Sequence, residues 1–96
     1  MSERLFELNS DRWPGLAKLT EESGEVLQVI GKLMANGGEV QHWDGTNLRD
    51  RLQAELGQLL AAITFVCEHC DLDKAVVEKN FETKVALYEK WREEGT

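Results

Sequence analysis

The chain has 96 residues and a net charge of −7, from 18 acidic and 11 basic residues. A chain of this length forms one domain, residues 1–96, whose core buries only somewhat more than about 60% of the unfolded surface, so association between copies is favoured. The acidic excess argues against binding to DNA or RNA through the phosphate backbone and against binding to anionic membranes, whereas it suits a divalent cation.

The sequence shows no segment that we expect to enter or cross a membrane. The residues from Met1 to Ser10 are too charged for the apolar region of a signal peptide. The longest charge-free apolar run, Leu56 to Cys67, is much shorter than the roughly 20 residues of a membrane-spanning helix. Two cysteines cannot build a disulfide framework, and we therefore expect a soluble, cytoplasmic protein.

The first half of the chain is predicted to contain a short helix and a long one. Residues 3–8 can form a short N-terminal helix, which must end before Pro14 because the residue preceding a proline avoids helical geometry. Pro14 is expected in the first turn of the long helix, and Gly37 or Gly38 is expected to end it in a left-handed conformation. The apolar positions of this helix are Leu16, Leu19, Val26, Leu27, Ile30, Leu33 and Met34.

Two further long helices are predicted after the loop at 39–47. Thr46 or Asn47 can cap a helix from Leu48 to about His69. Its apolar stripe is Leu52, Leu56, Leu59, Ile63 and Val66, with Cys67 beside it as a core residue.

Asp71 or Asp73 can cap the last helix, whose seam has alternating spacings of four and three. That seam is Val77, Phe81, Lys84, Tyr88 and Trp91. The pattern predicts an all-α bundle of three main helices plus the short N-terminal one.

Polar side chains interrupt the apolar stripes of the first two long helices. Glu22 and Glu25 share a face because they are three residues apart, and Glu21 can join Glu25. On the next helix Glu55 lies between apolar neighbours, and Gln58 stands one turn further on at the edge of the stripe. A single such pair usually belongs to a solvated face. Two inward pairs on neighbouring helices instead favour a hard divalent cation, which prefers oxygen ligands.

These residues resemble a family, the MazG-like all-α nucleoside triphosphate pyrophosphatases. The family pattern is Glu-Glu-x-x-Glu on one helix and Glu-x-x-Asp on the next. Residues 21–25, EESGE, match the first half, and residues 55–58, ELGQ, match the second except at the last position. The resemblance covers the chain from about Trp13 to Trp91, including the helix order and the glycine-rich loop between the halves.

The resemblance implies hydrolysis of a nucleoside triphosphate, often a deoxy or non-standard one, to the monophosphate and pyrophosphate. It implies Mg²⁺ as the cofactor, with Mn²⁺ as an alternative ion, and catalytic metal ligands at Glu22, Glu25 and Glu55. Gln58 would be a weak ligand and Glu21 an additional one. It also implies a homodimer or homotetramer in which a four-helix-type bundle is completed between subunits.

Gln58 stands where the family has an aspartate, and this change removes one negative charge while keeping a carbonyl oxygen that can coordinate. A loss of about one to two orders of magnitude in Mg²⁺ affinity is expected. Three outcomes stay open. The chain is an active enzyme that uses one metal fewer or recruits Glu21, a weakened enzyme, or a non-catalytic helical dimer that binds nucleotide or a protein partner.

Candidate groups for the phosphates and the base lie elsewhere in the chain. Asn80 and Lys84 on the last helix look like the phosphate-side residues of the family, with Lys79 beside them; Lys84 can equally pair with one of the glutamates or extend to solvent. Trp13 and Trp43 are candidate stacking faces and His42 a candidate hydrogen-bonding group, although packing is the more common role of a tryptophan.

The Cys-x-x-Cys spacing of Cys67 and Cys70 invites a zinc or redox interpretation. No second pair with ligand spacing accompanies it, which disfavours closed four-ligand zinc. The pair also falls at the C-terminal end of a predicted helix, where the helix dipole opposes a thiolate. We therefore assign neither cysteine a chemical role.

Overall fold

The computed structural model describes residues 11–95, and these residues form three helices. Helix α1 is Leu16–Ala35, α2 is Leu48–His69 and α3 is Lys74–Glu93. Within the described residues there is no strand, only an isolated antiparallel bridge between Gln41 and Asn47 in the loop. The prediction of an all-α fold with three main helices is confirmed, and the short helix expected at residues 3–8 lies outside the described part.

Helix α1 begins later than predicted, because Gly15 and not Pro14 stands at its N-terminus. Gly15 has φ of 87°, a left-handed conformation that L side chains rarely adopt. The ring of Phe65 on α2 also lies against it, and a Cβ at position 15 would be 2.6 Å from Phe65 Cδ1. Pro14 therefore precedes the helix. At the other end both Gly37 and Gly38 have positive φ, as the prediction allowed.

The caps of α2 and α3 agree with the prediction and explain where these helices start. The side chain of Asn47 accepts a hydrogen bond of 3.0 Å from the backbone N–H of Asp50. Asp73, rather than Asp71, caps α3 and accepts hydrogen bonds from the backbone N–H groups of Ala75 and Val76. Each cap satisfies amide groups that have no partner within the helix.

The core lies between α1 and α2, which form an antiparallel hairpin. Its centre is Val29 and Leu48, both fully buried. The remaining buried apolar residues are Val26, Ala62, Val66 and Cys70. The predicted stripe was partly wrong, since it omitted Val29 and since Leu27 and Met34 are more than two-thirds exposed. The core cysteine is Cys70, whose Sγ donates to the Pro14 carbonyl at 3.3 Å, and not Cys67, which is half-buried.

Helix α3 contacts α2 and not α1, and none of its residues is buried. The Cα radius of gyration is 17.0 Å, against about 12 Å for a compact domain of this length. The predicted seam of α3 is therefore exposed in the single chain, with Phe81 64% exposed, and Lys84 lies in solvent instead of in a packed seam. No helix of the described residues is long and apolar enough to cross a membrane.

Candidate functional site

Two glutamates of the helical hairpin are buried, one on each helix. Glu22 of α1 and Glu55 of α2 are each only 9% exposed, which confirms the prediction that both lie on inward faces. In each side chain Oε2 is fully buried and has no hydrogen-bond partner among the described residues. Because a buried polar atom without a partner is costly, both Oε2 atoms are suited to accept a cation or a hydrogen-bond donor.

Arg51 forms ion pairs with one glutamate on each of the two helices. Its guanidinium lies 3.6 Å from Glu25 Oε2 on α1 and 3.8 Å from Glu55 Oε1, four residues further along α2. The arginine and the two carboxylates therefore meet at one point of the α1/α2 interface. Arg51 was not among the predicted site residues, although an arginine four residues before an inward glutamate is a recognisable signal for such a pair.

An open groove of about 440 Å³ is lined by both Glu22 and Gln58. The residues that line it come from both helices: Lys18, Glu22, Gln58, Ala61, Ala62 and Phe65. A second cavity of about 300 Å³ shares Lys18, Ala62 and Phe65 with it and adds Pro14 and Gly15. Glu22 and Gln58 thus line the same groove, whose other residues are mostly apolar, as is usual for a small-molecule pocket.

Lys18 supplies the positive charge of this groove. Its Nζ donates a hydrogen bond of 3.1 Å to Glu21 Oε2, which raises the pKa of Lys18, so the side chain is an ammonium at neutral pH. The same contact places Glu21 at the surface, paired with Lys18 and not turned toward Glu25. Lys18 was not among the predicted phosphate groups, and nothing in its sequence neighbourhood distinguished it from an ordinary surface lysine.

The predicted phosphate groups on α3 are not brought to the glutamates within one chain. Lys79, Asn80 and Lys84 are exposed, on a helix that does not contact α1. The side-chain amide of Asn80 donates to the backbone carbonyl of Val76 at 2.8 Å, a local contact within α3. Any role for these three residues at the site would require α3 of another copy.

The aromatic candidates occupy two separate places. Trp43 is 87% exposed in the loop before α2, with its ring centroid 5.5 Å from that of His42. His42 Nδ1 lies 3.1 Å from Asp44 Oδ1. Hydrogen bonds from the hydroxyl and the backbone N–H of Thr46, with a smaller contribution from His42, hold the pKa of Asp44 well below its usual range, so the loop carries a firmly ionised carboxylate. Trp13 is half-buried and immediately precedes the Pro14 that lines the second cavity.

The donor set fits a magnesium ion that retains most of its water. Within residues 11–95, no three His, Cys, Asp or Glu side chains are arranged to hold a metal ion. Mg²⁺, however, is usually bound by one or two carboxylates, several waters and the phosphates of a substrate. The unpartnered buried oxygens of Glu22 and Glu55 are suitable donors for an ion of this kind.

Comparison with known proteins gave no match to a family model, a curated protein or a solved structure. The features of the site are two buried glutamates, the ion pairs of Arg51, and a groove lined by Glu22, Lys18 and Gln58.

Proposed function

We propose that this protein is a Mg²⁺-dependent nucleoside triphosphate pyrophosphohydrolase, which converts an NTP or dNTP to the monophosphate and pyrophosphate. The observation that carries the proposal is the pair of buried, unpartnered carboxylate oxygens on adjacent helices, at Glu22 and Glu55. Retaining such oxygens lowers the stability of the folded chain, and binding of a cation that carries a polyphosphate gives them a function.

In the proposed mechanism the residues have distinct tasks. Glu22, Glu25 and Glu55 would supply carboxylate oxygens to Mg²⁺, and because residues 11–95 hold no preformed three-ligand group, these side chains would have to close around the ion. The ion would neutralise phosphate charge and activate a water. Glu22 Oε2 would orient the water that attacks the α-phosphorus. The water oxygen would bond to the α-phosphorus and give up a proton to a neighbouring carboxylate, while the bond between the α-phosphorus and the bridging oxygen would break and release pyrophosphate. The apolar wall at Ala62 and Phe65 would hold the base or sugar.

We further propose that the protein acts as a homodimer or homotetramer in the cytoplasm. The exposed apolar face of α3 has the spacing of a helix that pairs with another copy of itself. Two free thiols suit a reducing compartment. Phe81→Glu is expected to convert the oligomer to monomers in sedimentation analysis, whereas Glu82→Gln, the adjacent change on the same helix, leaves it intact; a wild-type monomer contradicts this proposal.

The test of the catalytic proposal is a panel of NTPs and dNTPs at millimolar Mg²⁺, with pyrophosphate release as the readout. The panel compares the wild type, Gln58→Asp and Glu55→Gln. Turnover in the wild type that Glu55→Gln abolishes supports the proposal, and no turnover of any nucleotide refutes it. Activity that appears only with Gln58→Asp identifies a degenerate member, whereas equal activity in both shows that position 58 needs no carboxylate.

A second candidate is a non-catalytic helical dimer of the same fold that binds nucleotide or a protein partner. It is favoured by the neutral Gln58 in the groove and by the lack of a three-ligand group in the part of the chain described. Titration of a non-hydrolysable nucleotide with and without Mg²⁺ separates the two, because the enzyme requires binding that depends on metal and on Glu22 and Glu55.

A further inference from the structure

We propose that Arg51 is a phosphate-binding residue of this site, which pairs with carboxylates in the free protein and with the polyphosphate of the nucleotide in the complex. The inference rests on the proposed function and extends it, because it assigns the phosphate contact to α2 and not to the lysines of α3. The juxtaposition of Arg51 with Glu25 and Glu55 carries it.

The position of Arg51 matches that role better than any predicted residue. Its guanidinium lies within 4 Å of a glutamate on each helix, and both of these glutamates are proposed metal ligands. Its side chain is 33% exposed, which leaves one side open to a ligand from solvent. Lys79 and Lys84, by contrast, lie on a helix that does not contact α1.

The contacts of Arg51 leave it free to exchange partners. Distances of 3.6 and 3.8 Å to the carboxylate oxygens exceed the roughly 2.7–2.9 Å of a charge-assisted hydrogen bond. The guanidinium is therefore held near these carboxylates by charge, and its planar set of N–H donors is not used on them. That set matches the geometry of a phosphate group, which an arginine binds through two parallel hydrogen bonds.

Binding of a divalent cation would release Arg51 from the glutamates. A cation bound to Glu25 and Glu55 would repel the guanidinium and would offset the carboxylate charge that holds it. The phosphates that accompany the metal then offer new acceptors within reach of a long, flexible side chain. Arg51 should consequently oppose binding of metal alone and favour binding of metal with nucleotide, two effects of opposite sign that a purely structural residue would not produce.

The test measures both effects in Arg51→Met, with Arg49→Met as the matched control at an exposed position on the same helix. Calorimetric titration of a non-hydrolysable dNTP analogue in Mg²⁺ is expected to show binding weakened by about tenfold or more in Arg51→Met. Titration with Mn²⁺ alone, followed by electron paramagnetic resonance, is expected to show tighter binding than in the wild type. Arg49→Met should resemble the wild type in both, and Arg51→Lys should bind the analogue with intermediate affinity because it keeps the charge without the planar geometry.

The outcomes distinguish the two proposals. If the wild type fails to bind the analogue in Mg²⁺, the proposed function is refuted and Arg51 has no phosphate to bind. If the wild type binds and Arg51→Met binds equally well, only the role of Arg51 is refuted. Weaker binding of both Mn²⁺ and analogue, with an altered far-UV spectrum, would show that Arg51 only holds the two helices together and would also overturn the proposal.

Discussion

Replacement of Glu22 by methionine is expected to stabilise the metal-free protein. Glu22 is 9% exposed, and its Oε2 is buried with no hydrogen-bond partner in the described part of the chain. Methionine has nearly the same length and a similar preference for helix, so the change removes the charge without opening a large cavity or disturbing α1. The same change removes a proposed metal ligand, and stability and metal binding should therefore move in opposite directions.

The size of the effect follows from the burial. A buried polar group without a partner costs about 1–3 kcal/mol, and more when it is charged, so Glu22→Met should raise the free energy of unfolding by at least about 1 kcal/mol. For a domain of this size, each kcal/mol corresponds to about 4–8 °C in Tm. Millimolar Mg²⁺ should then raise the Tm of the wild type through binding to the native state, but not that of the variant.

The assay is thermal unfolding followed by circular dichroism, in EDTA and in Mg²⁺, at one fixed protein concentration. Glu21→Met is the control, because Glu21 is exposed on the same helix and its ion pair with Lys18 is worth at most about 1 kcal/mol. A Tm of Glu22→Met below that of the wild type in EDTA would refute the reasoning. It would mean that the buried carboxylate has a stabilising partner.

Two substitutions and one reactivity measurement test the packing of the hairpin. Gly15→Ala should lower the free energy of unfolding by more than about 2 kcal/mol in urea titration, because it adds the left-handed backbone strain to a 2.6 Å approach to Phe65; an unchanged midpoint would contradict this. Val29→Ala should cost about 2–3 kcal/mol in the same assay, since two buried carbons are lost and a cavity remains. Burial raises the pKa of the Cys70 thiol, so at pH 8 Cys67 should react with a disulfide reagent well before Cys70, and equal rates would show that Cys70 is accessible.

The helix boundaries could be predicted because the signals that begin and end a helix are local. Asn47, Asp73 and the glycines after Asn36 act within a few residues of the position they occupy. The start of α1 was misplaced for a tertiary reason. Gly15 is required by the ring of Phe65, fifty residues away, and the sequence offers no local signal for that contact.

The candidate site was only partly predictable. Burial of Glu22 and Glu55 followed from helical periodicity, which states which positions share a face. Periodicity does not state which helix covers that face. The spacing of the α3 seam predicted packing but not its partner; within the chain the seam is exposed, and α3 does not bring Lys84 to the carboxylates. The contact of Arg51 with Glu25 depends on how α1 packs against α2, and no local sequence pattern specifies that packing.

Gln58 and Arg51 both reduce the negative charge of the proposed metal site. Three glutamates, Glu22, Glu25 and Glu55, carry three negative charges, and subtracting the one positive charge of Arg51 leaves two, which one divalent cation balances. An aspartate at 58 would leave three and would favour further cations. Gln58 therefore suits a site that takes metal together with substrate, and Gln58→Asp and Arg51→Met should both tighten binding of metal alone. Because both residues lie on the same helix as Glu55, within one turn of it, their combined effect should not equal the sum of the separate ones.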